Sequence, residues 1–294
     1  MFALRQDLSV LRIALIVVVI GLPAFFGASA ALAQQGDAED AEEYTGEFQL
    51  VFAPVHGQAF QQLEAQIREA EIFEQTIEEL NQTLALPTDL EITFSECDGV
   101  ANAFYDPEQT RVVMCYELIA MFAKQFADDY EDPEEAEVAV LDATLFVFHH
   151  ELGHAVVHLL DLPVTGKEED AVDDLATVIL IRDWEGGDES ALNAAQAFYK
   201  MGEKEEEAAA EADESQIESL PYYDEHSLGK QRYYQIACIV YGSDPEAHAD
   251  LVGEDLPPER AQRCPAEFEQ KDSSWDRLLA DYYKDSGDQG EEQE

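Results

Sequence analysis

Residues 138–154 constrain this chain more than any other stretch. An almost uninterrupted apolar run, residues 138–148, ends in His149-His150-Glu151-Leu152-Gly153-His154. Apolar residues at nearly every position predict a helix buried around most of its circumference. Charged and polar groups on such a helix are costly unless they are paired or bound to a metal. On an α-helix, residues i and i+4 share a face, so His150 and His154 can reach one metal ion together. Glu151, the next residue after His150, is close enough to act as a base on a water at that metal. Gly153 costs about 1 kcal/mol in a helix interior relative to Ala. That cost is tolerable if another backbone must pass close by.

Imidazole suits zinc, and a catalytic zinc site commonly has three protein ligands with one position left open. The segment Leu162-Pro163-Val164-Thr165-Gly166 breaks the chain. The acidic stretch beginning Lys167-Glu168-Glu169-Asp170 then opens a second helix. There Glu169 and Asp173 are again four residues apart, which suits Glu169 as third ligand and Asp173 as acceptor for a histidine ring N–H. Glu168 and Asp170 are alternatives for the ligand. Acids also favour the first turn of any helix through its dipole. In the longer pattern HExxHxxGxxH the third histidine would fall at position 160, which is Leu160. His158 is out of register with it, and both His158 and His149 are read as structural or solvent-facing.

The residues His150-Glu151-Leu152-Gly153-His154, the turn at 163–166 and Glu169-Asp170-Ala171-Val172-Asp173 resemble the glutamate-ligand zinc peptidases, the gluzincins. More closely, they resemble a bacterial family of domains of unknown function described as metallopeptidases. That likeness extends to Asn102-Ala103-Phe104-Tyr105, Cys115-Tyr116-Glu117-Leu118, Asp224-Glu225-His226-Ser227-Leu228 and Gln231-Arg232-Tyr233-Tyr234, so it covers residues 45–283. The resemblance implies zinc (Zn2+) on His150, His154 and Glu169, with Glu151 catalytic and a peptide or protein as substrate. It further implies a His or Tyr downstream that stabilises the oxyanion. His226 is the expected one, with Tyr222, Tyr223, Tyr233 and Tyr234 as competitors. The rival reading is a non-catalytic exported zinc-binding or interaction protein that keeps the HExxH helix.

Residues 1–33 read as a cleaved signal peptide: Arg5 and Arg12 at the start, an apolar core over 13–20, and Ala31-Leu32-Ala33 as an A-x-A cleavage site. Retention as a membrane anchor is the alternative, since residues 13–32 carry no charge and are nearly long enough to span. Either way the chain is expected to be exported, periplasmic or secreted, and free of the membrane once cleaved. The 65 Asp and Glu against 16 Lys and Arg give a net charge of −49. Such a surface repels nucleic acid and anionic lipid and favours cationic substrates. The four cysteines of an exported chain read as two disulfides. Three connectivities are open, and the local pairs Cys97–Cys115 and Cys238–Cys264 are the expected ones. Each is worth about 3 kcal/mol in the loop-entropy account.

The expected fold class is α+β, a mainly helical zincin-like domain with a small antiparallel sheet beside the HExxH helix. Strands are expected over 48–53, 90–94, 100–105 and 110–115, the last two flanking the turn Asp106-Pro107-Glu108-Gln109. Helices are expected over 58–84, 116–130, 133–160, 168–184, 190–201, 229–242 and 273–283. The stretch 202–219 either extends its helix or is mobile. An acidic, disordered N-terminus over 34–44, one domain over 45–283 and a disordered acidic tail over 284–294 complete the reading. Neither an oligomeric state nor a cleavage preference follows from it.

Overall fold

The structure is a computed structural model that describes residues 44–211, 224–253 and 255–284. The signal segment 1–33, residues 34–43, residues 212–219, Tyr222, Tyr223 and the tail from 285 lie outside the described residues. In chain order the elements are β1 (Phe48–Phe52), α1 (Gln58–Ala70), α2 (Ile72–Thr83), β2 (Leu90–Ser95), β3 (Ala103–Asp106) and β4 (Arg111–Cys115). Then follow α3 (Tyr116–Phe126), α4 (Pro133–Leu159), α5 (Glu168–Asp183), α6 (Gly187–Glu211), α7 (Gly229–Ser243), α8 (Pro258–Ala261) and α9 (Cys264–Leu279). The mainly helical α+β class expected above is what the chain adopts.

The sheet corrects one expectation. Its order is β1-β2-β4-β3, and only the β3–β4 hairpin is antiparallel. β1 runs parallel to β2, and β2 parallel to β4, with Phe48 opposite Leu90 and Ile92 opposite Val112. The reason lies in the connections. Parallel neighbours need a crossover, and α1 with α2 supplies it between β1 and β2. The hairpin turn at 107–110 then folds β3 to the outside, so that β4 takes the inner place beside β2.

The helix expected over 58–84 is also two helices. Glu71 adopts a left-handed conformation, φ 54°, and its N–H closes on the Arg68 carbonyl. That break reorients α2 so that Phe73 is fully buried. Phe73 meets Phe94 of β2 edge-on at 4.9 Å and Phe148 of α4 at 5.5 Å. This aromatic run ties the sheet, through α2, to the residue just before the His149–His154 segment. Two further boundaries move. α6 runs on to Glu211, taking in part of the 202–219 stretch, and the last helix begins at Cys264 rather than 273.

Both expected disulfides form. Cys97–Cys115 ties the loop after β2 to the end of β4, and Cys238–Cys264 joins α7 to α9. Two disulfides are compatible with an exported chain. Among the described residues, no helix is long and apolar enough to cross a membrane.

Candidate metal centre

α4 carries the first part of the site. Asp132 caps its start, accepting from the Glu134 N–H at 2.9 Å, with Pro133 in the first turn. From Ala143 to Gly153 every residue is buried, His149, His150 and Glu151 included. His149 points away from the other two histidines, and its Nδ1 lies 2.9 Å from the Leu145 carbonyl oxygen. Burial pushes its pKa from 6.5 down to about 4, against a smaller opposing effect of that hydrogen bond. A histidine kept neutral in the fold contributes stability above its unfolded pKa, and the contribution is lost as pH falls from 6.5 through about 4. The loss is about 3 kcal/mol at the bottom of that window. His149→Phe keeps the ring and removes the titration. In chelated protein its unfolding free energy should therefore fall less steeply with acid than wild type over pH 6.5 to 4, and parallel curves would contradict this.

Gly153 is where α5 comes close. A Cβ built there would lie 2.8 Å from Cβ and 2.9 Å from Cγ1 of Val172, atoms of a β-branched side chain that cannot swing aside. The bare backbone between the two histidines is thus what lets α5 approach α4. Gly153→Ala should spread the helices and destabilise the fold by about 1–3 kcal/mol, despite alanine's better helix propensity. A denaturation midpoint at or above wild type would rule out the close-approach account.

α5 brings the carboxylates. Glu169 Oε2 lies 3.1 Å from His150 Nε2 and 3.3 Å from His154 Nε2. A third imidazole joins them: His226 Nε2, from the segment leading into α7, lies 3.0 Å from the same oxygen. Asp173, one turn along α5, is buried and accepts at Oδ1 from His150 Nδ1 at 2.7 Å. The neighbouring acids face elsewhere. Glu168, half exposed, reaches His154 Nδ1 at 2.7 Å, and Asp170 accepts from the Ser227 hydroxyl at 2.7 Å. The donors fit a divalent cation such as zinc. Among the described residues, His150, Glu169 and His226 each offer a ligand atom within 4.8 Å of the others, and His154 Nε2 meets the same Glu169 oxygen.

His226 is held from two sides. Its Nδ1 lies 3.0 Å from Asp224 Oδ1, and Lys167 at the start of α5 reaches its carbonyl oxygen at 3.4 Å. Of the competing tyrosines within the described residues, Tyr233 donates its hydroxyl to Asp255 at 3.2 Å, and Tyr234 packs edge-on against it at 5.3 Å. His158 is exposed, with Nδ1 2.9 Å from the Tyr105 hydroxyl, a contact that lays β3 alongside α4. Arg232 was not singled out from the sequence. It is largely buried and grips both oxygens of Asp173, at 2.7 and 2.6 Å. Its only sequence signal is its place in the Gln231-Arg232-Tyr233-Tyr234 segment.

The electrostatics follow the geometry. Burial alone would raise the Glu169 carboxyl, but hydrogen bonds to His150, His154 and His226 drive it far below the usual range. Burial likewise opposes ionisation of Asp173, and Arg232 and His150 overcome it. Burial lowers His154, yet Glu169 and Glu168 lift it to about 9. Glu151 is raised by burial, with the charges of His150 and His154 holding the rise back.

Among the described residues, His150, Glu169 and His226 form a group that could hold a metal ion. A protein-family model described as "Putative metallopeptidase" matches residues 52–279, and the chain belongs to that family. Membership points to a peptidase and implies a metal. No curated protein matches the chain, and no solved structure does.

Proposed function

We propose that the protein is an exported, zinc-dependent peptidase that hydrolyses peptide bonds in protein or peptide substrates. The observation that carries this reading is the convergence of His150, His154 and His226 Nε2 on one oxygen of Glu169. His150, His154 and Glu169 would hold the zinc. Zinc, when bound there, supplies a Lewis acid that polarises a carbonyl and lowers the pKa of water from about 15.7 toward 7. Glu151 takes the proton released by the attacking water and hands it to the leaving amine. His226 donates from Nε2 to the oxyanion, its ring steadied through Nδ1 by Asp224. Asp173 accepts the Nδ1–H of His150 and so turns Nε2 toward the metal. The exposed edge of β3, laid along α4 through Tyr105 and His158, is placed to pair with an extended substrate backbone.

One observation favours a second reading. With His226 at the same oxygen as the other two histidines, the protein offers four donors, and a site closed by four protein ligands is structural rather than catalytic. Zinc analysis of purified protein, beside hydrolysis of an unfolded cationic protein substrate, separates the two. The peptidase reading expects about one zinc per chain, with activity abolished by chelation and restored by zinc. Tight zinc with no hydrolysis would establish the closed site. No zinc, even after refolding with metal, would overturn both.

A further inference from the structure

Asp173 has two partners on the same oxygen: Oδ1 receives His150 Nδ1 at 2.7 Å and an Arg232 Nη2–H at 2.6 Å. The Arg232 Nε–H takes Oδ2 at 2.7 Å, completing a two-pronged grip. The guanidinium carbon also lies over the ring of Phe198 of α6, 3.6 Å from its centre. Ring, guanidinium and carboxylate thus sit in succession, and the carboxylate's remaining hydrogen bond goes to His150. Asp173 is buried, and the Arg232 side chain is 11% exposed. Packing alone does not account for an arginine in this place. Replacing a buried ion pair by apolar residues is often neutral or stabilising, so an Arg–Asp pair kept between α5 and α7 invites a second role. In a chain with only 16 Lys and Arg, one of them is spent here.

We propose that Arg232 is a positioning residue for the metal centre, fixing the Asp173 carboxylate so that it orients His150 toward the ion. The inference rests on the metal-centre reading above and adds to it a residue that touches no ligand of the substrate or the metal. Its physical basis is that a carboxylate without this partner loses the two hydrogen bonds that fix its plane and is free to rotate. It would then cease to be a fixed acceptor for the Nδ1–H of His150. An ammonium could not replace the guanidinium, since a point charge cannot hold both oxygens in one plane. Arg232 also sits six residues after His226 on the way into α7, so the same grip docks the segment that carries His226 against α5.

A double-mutant cycle on zinc affinity, read by competition with a chromophoric chelator, tests the proposal. Arg232→Met and Asp173→Asn should each weaken zinc about 10–100-fold, the usual cost of losing a partner behind a metal ligand. If Arg232 acts through Asp173, adding Arg232→Met to Asp173→Asn should cost little more. Wild-type affinity in Arg232→Met, or an equal loss in both backgrounds, overturns the proposal. Should Arg232→Met fail to fold, Arg232→Lys keeps the charge. It should still weaken zinc and shift the visible spectrum of the cobalt-substituted protein, whereas an unchanged affinity and spectrum would overturn the role. Absence of zinc from the wild type would remove the metal-centre reading and this inference with it. Tight zinc in the wild type with indifferent Arg232 variants removes this inference alone.

Discussion

Glu151→Gln should lower peptide hydrolysis by about 10²–10⁴-fold while leaving zinc bound at wild-type affinity. The carboxylate is buried beside His150, His154 and Glu169, burial raises its pKa, and the proposed mechanism uses it as the base. The amide has nearly the same shape and can still accept a hydrogen bond from water, but it cannot take the proton. It is not among the groups that meet at Glu169 Oε2, so metal content should not change. The loss should therefore appear in kcat, with KM little affected, because substrate contacts are untouched. Zinc analysis and steady-state kinetics on one preparation check both halves. Wild-type turnover in Glu151→Gln would exclude Glu151 as the base, and loss of zinc would make it a ligand.

The second large effect is on metal affinity. Three consecutive acids, Glu168, Glu169 and Asp170, open α5, and their surroundings differ. Glu169→Ala removes the one oxygen that faces all three Nε2 atoms and should weaken zinc by more than the about 10–100-fold that an outer partner costs. Glu168→Ala removes only the acceptor behind His154 Nδ1, so its cost should stay within that range. Asp170→Ala should leave zinc affinity close to wild type. It releases the Ser227 hydroxyl, and with it one tie on the segment bearing His226, so its effect should fall on kcat. Competition titrations on the three variants give the order Glu169, then Glu168, then Asp170. Any other order contradicts the arrangement described here.

Much of the candidate site was legible because helical periodicity is local. His150 and His154 on one face, Glu151 beside them and the Glu169–Asp173 pair one turn apart all follow from a rise and twist set within a single element. The segment Asp224-Glu225-His226 was legible only by likeness. Its path depends on Lys167 and Asp170 reaching across to it, contacts between elements nearly 60 residues apart. Arg232 was invisible for the same reason: it matters through Asp173 and Phe198, which other helices deliver.

The sequence by itself determined most of the helices though not all of their bounds, the buried run through residue 153, a preference for the local cysteine pairs and the i, i+4 spacing of His150 and His154 on α4. These depend on hydrophobic periodicity and short chain separations. The tertiary structure decided the rest. It made the sheet mixed, because the α1–α2 crossover and the outward β3–β4 hairpin set strand order. It broke the long helix at Glu71, because burying Phe73 between Phe94 and Phe148 outweighs the roughly 1–2 kcal/mol of a left-handed residue. Successive side chains on α5 point about 100° apart, and its packing against neighbouring helices, Val172 on Gly153 among those contacts, fixes which carboxylate turns toward the histidines.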